Sequence, residues 1–217
     1  MRTASLSLLT ILCLLLAVAP AMADTLYTNG PPNGTTDAWV INFGFSVSDS
    51  FICPRYNSCF VEGFGIVTWN SPGDNLSNLE MQLGASPFGN YYYDQVLAPT
   101  TSMDLGPNQY GLELWEYEFT VAGVDVPSGT NWITLQNANV PSGDPIYWDE
   151  NSGPSSAFEN TIGSIPSESF TVTGCLPCAC GIRGPDCGPP TPEPSSIMLF
   201  GSGILGLAGV LRRKLGR

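Results

Sequence analysis

The sequence predicts an all-β body that folds as a jelly-roll-like β-sandwich of about eight or nine strands. Apolar and polar residues alternate with a period of two in several stretches, as they do in half-buried strands. Clusters of Gly, Pro, Ser, Asn and Asp separate these stretches and are typical of turns. No amphipathic helix of ten or more residues is indicated between residues 24 and 174.

The first 23 residues have the three parts of a secretory signal peptide. Arg2 gives the start a positive charge, and residues 6–19 form an apolar run rich in leucine. Residues 21–23 read Ala-Met-Ala, which is an A-x-A cleavage site. We therefore expect residues 1–23 to be removed on export and to take no part in the fold of the body.

The strands of the body are predicted from alternation. Apolar side chains at every second position predict a strand over 39–47, and Trp115, Tyr117 and Phe119 alternate with glutamates in the clearest half-buried strand, 113–121. Further candidate strands are 60–69, 76–83, 91–97, 132–138, 146–148 and 169–173. Three consecutive tyrosines fill positions 91–93, and strand alternation must direct at least one of these rings away from the core.

The charge of the chain limits its chemistry. Between residues 24 and 193 there are two arginines, Arg55 and Arg183, against all 19 acidic residues, a net charge of −17. Such a body repels nucleic acid and anionic lipid, which are bound through clustered Lys and Arg. The chain contains no histidine, which excludes Ser-His-Asp, Cys-His and His-metal sites, and the body has no lysine for Schiff-base chemistry.

Two groups of side chains are candidates for binding or catalysis. Asp144, Asp149 and Glu150 are the densest carboxylates of the body. Two such carboxylates can act as acid and base in glycoside hydrolysis or bind Ca²⁺, but neither interpretation is specific, and the composition of so acidic a chain favours a solvated acidic loop. The tyrosines at 91–93 and the five tryptophans could stack on sugar rings. We expect no catalytic residues, no resident metal and no other cofactor.

Six cysteines remain after Cys13 leaves with the signal peptide, and an even number in an exported chain predicts disulfides. Cys53 and Cys59 are close enough to staple a loop between strands. The other four follow the last predicted strand with the spacing C-x2-C-x-C-x6-C, namely Cys175, Cys178, Cys180 and Cys187. They indicate either two disulfides of open connectivity or a tetrahedral Zn²⁺ site, and an oxidising compartment favours the disulfides.

The C-terminal tail has a membrane-spanning pattern. A Gly- and Pro-rich linker over 188–192 separates it from the body, and residues 197–211 carry no charge. As a helix these 15 residues are about 22 Å long, which is a short transmembrane span. The basic residues Arg212, Arg213 and Lys214 follow directly and predict a cytoplasmic C-terminus with the body outside.

The order of parts in this tail resembles a known family. Pro192, Glu193 and Pro194, then the apolar span, then the basic cluster, resemble the PEP-CTERM sorting signal of Gram-negative bacteria. This resemblance implies that an exosortase, a membrane enzyme, recognises and cleaves the tail and passes the body to the cell surface, often alongside exopolysaccharide production. A GPI-anchor signal is the alternative, but it lacks a counterpart to the basic end and its polar spacer is missing here.

The expected organisation is therefore a signal peptide (1–23), a β-sandwich body (24–174), a Cys- and Pro-rich linker (175–191) and a sorting tail with one transmembrane helix (192–217). We expect an exported protein, anchored by its tail and then released to the cell surface or extracellular matrix. Its role is expected to be structural or adhesive rather than enzymatic. A carbohydrate-binding module for exopolysaccharide is the alternative, and a secreted glycoside hydrolase is a third hypothesis.

Overall fold

The computed structural model describes residues 24–175, apart from the side chains of residues 55–57. This part of the chain is built from eleven strands and contains no helix. The strands are β1 Asp24–Thr28, β2 Ala38–Val40, β3 Ser46–Asn70, β4 Asn78–Ser86, β5 Gly89–Leu97, β6 Thr101–Pro107, β7 Glu113–Asn139, β8 Tyr147–Asp149, β9 Ala157–Glu159, β10 Gly163–Ile165 and β11 Phe170–Cys175. All of their pairings are antiparallel, and the prediction of an all-β body is confirmed.

Two long strands form the centre of the sheet. β3 has 25 residues and β7 has 27, and they pair from Ser46 opposite Gln136 to Asn70 opposite Glu113. The register shifts twice, between Cys53 and Ser58 and between Val61 and Gly63. Because an extra residue in one strand of a ladder bends it and increases its twist, these two irregularities let the ribbon curl.

The curl brings two parts of the same strand face to face. Phe51 and Phe64 both belong to β3, and a straight strand would place them about 43 Å apart. Their ring centroids are 6.4 Å apart in an edge-to-face contact. The sheet is therefore folded onto itself, and its two halves enclose the apolar core between them.

We call the two parts of the sheet the first half and the second half. In the first half, residues 46–53 of β3 and 129–139 of β7 are flanked by β9 on one side and by β4 and β5 on the other. In the second half, residues 58–70 of β3 and 113–127 of β7 are flanked by β11 and β1 on one side and by β6 on the other. β8 pairs with the end of β3 and with β2.

The strand count is higher than the eight or nine predicted, for a local reason. β2, β8, β9 and β10 have three residues each, and three residues are too few to show an alternating pattern. The predicted strands 113–121 and 132–138, by contrast, are both parts of β7. The two layers expected of a sandwich are formed by one continuous curled sheet, and its jelly-roll character stays a prediction.

The predicted strand over 39–47 is wrong in its middle. A turn interrupts it, in which the N–H of Phe45 donates to the carbonyl of Asn42 at 3.0 Å. Phe43 has a φ of 57° and Gly44 a φ of 87°, both in the left-handed region that breaks a strand. As a result Phe43 is 64% exposed and Phe45 39% exposed, although the alternation placed both on an apolar face.

The core lies between the halves and is made by the inward side chains of the long strands. Tyr117, Phe119 and Val121 are buried on β7, as their alternation predicted. Trp148 of β8 is completely buried, and its Nε1 donates to the carbonyl of Ser169 at 2.9 Å. Because a buried indole N–H needs an acceptor, this hydrogen bond lets a large polar-tipped ring pack at the centre of the fold.

Candidate functional site

The disulfide between Cys53 and Cys59 is present, as predicted. The two Cα atoms are 5.8 Å apart, and the loop between them is the irregular segment of β3. Cys59 lies opposite Val126 of β7, so the disulfide closes the irregular segment of β3 next to a position where β3 is paired with β7. The bond therefore fixes the position at which β3 passes from the first half to the second.

Cys175, the last residue of β11, is also disulfide-bonded. Its bonding agrees with the disulfide interpretation of the C-terminal cysteines. Cys178, Cys180 and Cys187 lie outside the described residues, so the connectivity stays open.

Asp149 is a buried carboxylate that holds a loop in place. One oxygen accepts from the backbone N–H of Asn33 at 2.7 Å, and the other accepts from the N–H of Gly34 at 2.8 Å and from Trp69 Nε1 at 2.6 Å. Burial raises the pKa of Asp149, and these donors oppose the rise by stabilising the charged form. The carboxylate thus joins residues 33–34 to the outer side of β8.

The other two predicted carboxylates do not complete a pair with Asp149 at an open cleft. Glu150 is largely buried and accepts from Trp39 Nε1 at 3.2 Å. Asp144 lies in the turn before β8, where its backbone carbonyl accepts from Asn42 at 3.0 Å. The interpretation of 144–150 as a solvated acidic loop is therefore wrong for Asp149 and Glu150, because both are folded into the body.

Sequence reasoning missed two further acids, Asp49 and Glu168, which are fully buried. The oxygens of Asp49 accept from the N–H of Ser50 at 2.6 Å and from the N–H of Glu168 at 2.7 Å. Burial raises the pKa of Asp49 to about 6. A signal existed, because Asp49 occupies the inward phase of β3 between Val47 and Phe51, where a charged residue is unexpected.

Glu168 differs from Asp49 because neither of its carboxylate oxygens has a hydrogen-bond partner. Burial raises its pKa well above the usual range, and the negative charges of Asp49, Glu150 and Asp149 raise it further. We call the four residues Asp49, Asp149, Glu150 and Glu168 the acidic cluster. Within residues 24–175, no three Asp, Glu or Cys side chains are already arranged as ligands around one metal ion.

A second candidate region is the side of the first half that faces away from the core, which we call the polar–aromatic face. Ser48, Gln82 and Thr134 at its middle are buried, whereas Tyr91 and Val96 at its edge are exposed. Its strands pair so that residues line up in three rows across the sheet. The rows are Tyr91, Gly84, Trp132 and Ser50; then Asp94, Gln82, Thr134, Ser48 and Phe158; then Val96, Glu80, Gln136 and Ser46. One row is thus rich in aromatic rings, and its neighbours consist mainly of hydroxyl, amide and carboxylate groups.

Hydrogen bonds hold the polar rows of this face in fixed positions. Glu80 accepts from Gln82 Nε2 at 2.9 Å, from Gln136 Nε2 at 2.8 Å and from Asn137 Nδ2 at 2.7 Å. Burial alone would raise the pKa of Glu80, but these side-chain hydrogen bonds outweigh it and the pKa is lowered. Gln82 Nε2 also donates to Asp94 at 3.1 Å, which extends the network to the edge strand β5.

The tyrosines at 91–93 divide between the surface and the core. Tyr93 packs against the core, whereas Tyr91 is 39% exposed, so the expectation that at least one ring points outward is confirmed. Tyr91 lies against Gly84, where a Cβ atom would come within 3.2 Å of the ring. Tyr92 donates its hydroxyl to Asn131 Oδ1 at 2.6 Å. Trp132 contacts Phe158 with ring centroids 5.6 Å apart, which continues the aromatic surface.

The predicted targeting residues lie outside the described part of the chain. These are the signal peptide 1–23, the sorting motif Pro192, Glu193 and Pro194, and the basic residues Arg212, Arg213 and Lys214. The predicted transmembrane segment 197–211 falls there too. In residues 24–175, no helix has the length and apolar character required to cross a membrane.

Comparison with known families identifies the tail. Residues 190–214 match the model of the PEP-CTERM protein-sorting motif. No curated protein matches the chain. The motif indicates a secreted protein that an exosortase processes and sorts to the cell surface of a Gram-negative bacterium. The chain thus carries a PEP-CTERM protein-sorting motif at its C-terminal end, over residues 190–214.

Proposed function

We propose that the body is a non-enzymatic structural or adhesive component of the cell surface or extracellular matrix. The sorting motif at residues 190–214 is the observation that carries this proposal, because it directs the body to the surface. The character of the body supports it: the Cys53–Cys59 disulfide suits an oxidising exterior, and a strongly acidic surface suits a soluble exported protein. The signal peptide is removed first, and the tail anchors the chain until it is cleaved.

The intact mass of the mature protein tests this route. The protein is isolated from its native host and from a host that lacks the exosortase. We expect mass to be lost at both ends in the first host and only at the N-terminus in the second. A Pro194→Ala variant should keep its tail, whereas Pro189→Ala, in the linker before the motif, should be processed normally. A tail retained in both hosts would identify a permanent membrane anchor and contradict the sorting proposal.

A second candidate function is the binding of a neutral polysaccharide by the polar–aromatic face. The observation that favours it is the exposed ring of Tyr91 beside fixed rows of amide and carboxylate groups. Sugar rings stack their C–H faces on aromatic rings, while their hydroxyls bond to polar groups held in place. None of the residues in the three rows is basic, so an anionic polymer finds no positive partner there.

Affinity electrophoresis in gels that contain the host exopolysaccharide tests this second function. We expect the polysaccharide to retard the wild type and to retard Tyr91→Ala much less. Tyr110→Ala is the matched control, because Tyr110 is 57% exposed but stacks on Trp69 in the second half. The melting temperatures of both variants confirm that they are folded. Equal retardation of wild type and Tyr91→Ala would show that this face does not bind the polymer.

A further inference from the structure

Glu168 is in an unfavourable position for a charged residue. It is fully buried two residues before β11, and both carboxylate oxygens lack a hydrogen-bond partner. Its backbone is well fixed, because its N–H donates to Asp49 and its carbonyl accepts from Asn29 Nδ2 at 2.6 Å. An unpaired buried carboxylate is strongly destabilising, so a group of this kind normally has a partner that neutralises it.

The chain itself provides few candidates for such a partner. Residues 24–193 contain only two basic residues, Arg55 and Arg183, and neither lysine nor histidine. The nearest charged groups are acids, since the carboxylates of Asp49, Glu150 and Asp149 act on Glu168. Asp149 accepts three hydrogen bonds, and Asp49 Oδ2 accepts from Asn29 and from the N–H of Glu168. Asp49 Oδ1 accepts from the N–H of Ser50, and neither oxygen of Glu168 has a hydrogen-bond partner.

We propose that the acidic cluster binds a hard divalent cation, with Ca²⁺ as the best fit, through the carboxylates of Glu168 and Asp49. Hard cations prefer oxygen ligands, and every charged group of the cluster offers oxygen. Ca²⁺ accepts six to eight oxygens in flexible geometry, whereas Mg²⁺ requires a strict octahedron. No three carboxylates of residues 24–175 already surround a common point. Ca²⁺ binding therefore moves the carboxylate of Glu168 towards that of Asp49, and amide, hydroxyl or water oxygens complete the coordination shell of the ion.

A cavity lies next to residues that are hydrogen-bonded to the cluster. Its volume is about 500 Å³, and its walls include Asn29, Asn33, Asn151 and Gly153. Asn29 links this cavity to the cluster, because its Nδ2 donates to Asp49 at 3.3 Å and to Ser155 Oγ at 2.7 Å. Only the side chain of Asn29 and the backbone of Asn33 separate this cavity from Asp49 and Asp149, so we infer that a cation enters the cluster from this side. This inference is independent of the sorting route and of polysaccharide binding.

The experiment uses the mature exported protein, freed of metal with EDTA and then titrated with CaCl₂ in a calorimeter. We expect about one Ca²⁺ per chain, with a Kd of about 0.1–1 mM, as in extracellular calcium modules. At 100 times the Kd, the melting temperature should rise by about 5–10 °C. In Glu168→Gln this rise should be lost, whereas Asp125→Asn, an exposed acid outside the cluster, should keep it.

Two results of the calcium titration would overturn the proposal. One is the absence of any calcium response in the wild type, which would identify Glu168 as a buried neutral acid. The other is a full calcium response in Glu168→Gln, which would place the ion elsewhere. If Glu168→Gln does not fold, Tb³⁺ luminescence of the wild type decides. Excitation of the nearby indole of Trp39, which bonds to Glu150, should sensitise a bound Tb³⁺, and Ca²⁺ should quench the signal by competition. No sensitised emission would refute the site.

Discussion

Asp149→Asn tests whether the buried acid of β8 serves the fold or a reaction. The wild-type carboxylate accepts three hydrogen bonds, from Asn33, Gly34 and Trp69. An asparagine keeps the size of the side chain but replaces one acceptor oxygen with an NH₂ donor. If the remaining oxygen faces Gly34 and Trp69, the NH₂ group meets the N–H of Asn33, and two donors then face each other without an acceptor.

The expected loss of stability follows from these contacts. A hydrogen bond to a buried charged group contributes about 1.5–3 kcal/mol, and the substitution removes one such bond and weakens two others. The removal of a buried charge offsets part of this loss. We expect a net destabilisation of about 3 kcal/mol, which for a body of this size lowers the melting temperature by about 6–12 °C.

Thermal unfolding followed by tryptophan fluorescence measures the effect, with Asp144→Asn as the control. Asp144 belongs to the same acidic segment but contacts Asn42 through its backbone carbonyl, so its variant should unfold within about 1 °C of the wild type. A melting temperature of Asp149→Asn equal to that of the control would refute the reasoning. If the wild type hydrolyses a chromogenic glycoside and Asp149→Asn abolishes this activity at an unchanged melting temperature, the hydrolase hypothesis would be favoured instead.

Three further predictions concern the stability of the body. Replacing Cys53 and Cys59 together by serine should lower the free energy of unfolding in urea by about 2 kcal/mol, as expected for a disulfide that closes a short loop. An unchanged urea midpoint would show that the disulfide does not stabilise the fold. Burial raises the pKa of Asp49 from 3.8 to about 6, so the folded state retains a proton that the unfolded chain loses. In EDTA, the contribution of this proton to the free energy of unfolding should be fully present below about pH 4 and should fall by up to about 3 kcal/mol as the pH rises through 6. A free energy of unfolding in urea that stays constant or rises over this pH range would contradict the prediction. Tyr117→Phe should lower the free energy of unfolding by about 2–3 kcal/mol, because Asn70 Nδ2 and the N–H of Leu76 both lose the buried hydroxyl that accepts from them. If the urea midpoint of the variant equals that of the wild type, water has replaced the hydroxyl.

Strand alternation and short cysteine spacing predicted those parts of the fold that depend on residues close together in the chain. The alternation around Tyr117 and Phe119 identified a half-buried strand, because side chains of a strand point to opposite faces whatever lies beyond it. The pairing of Cys53 with Cys59 followed from short separation in an exported chain. These features needed no knowledge of distant segments.

Features that depend on distant segments were missed. The strand expected over 39–47 is broken at Phe43, where the turn is braced by Asn160, whose Nδ2 donates to the carbonyl of Gly44 at 3.0 Å. The acidic cluster assembles Asp49 with Glu168, 119 residues later in the chain. No short window contains both partners, and only an acid in the inward phase of a strand hinted at the cluster.

The pairing of β1 with β11 has a mechanical consequence wherever the body is attached through residues that follow β11. Asp24 lies opposite Gly174, so the body begins and ends at neighbouring positions of the sheet. β11 is bonded on its other side to β3, from Phe170 opposite Ile66 to Cys175 opposite Phe60. Tension applied through the tail therefore reaches a strand that is held by two ladders, and both must yield before the body is pulled apart.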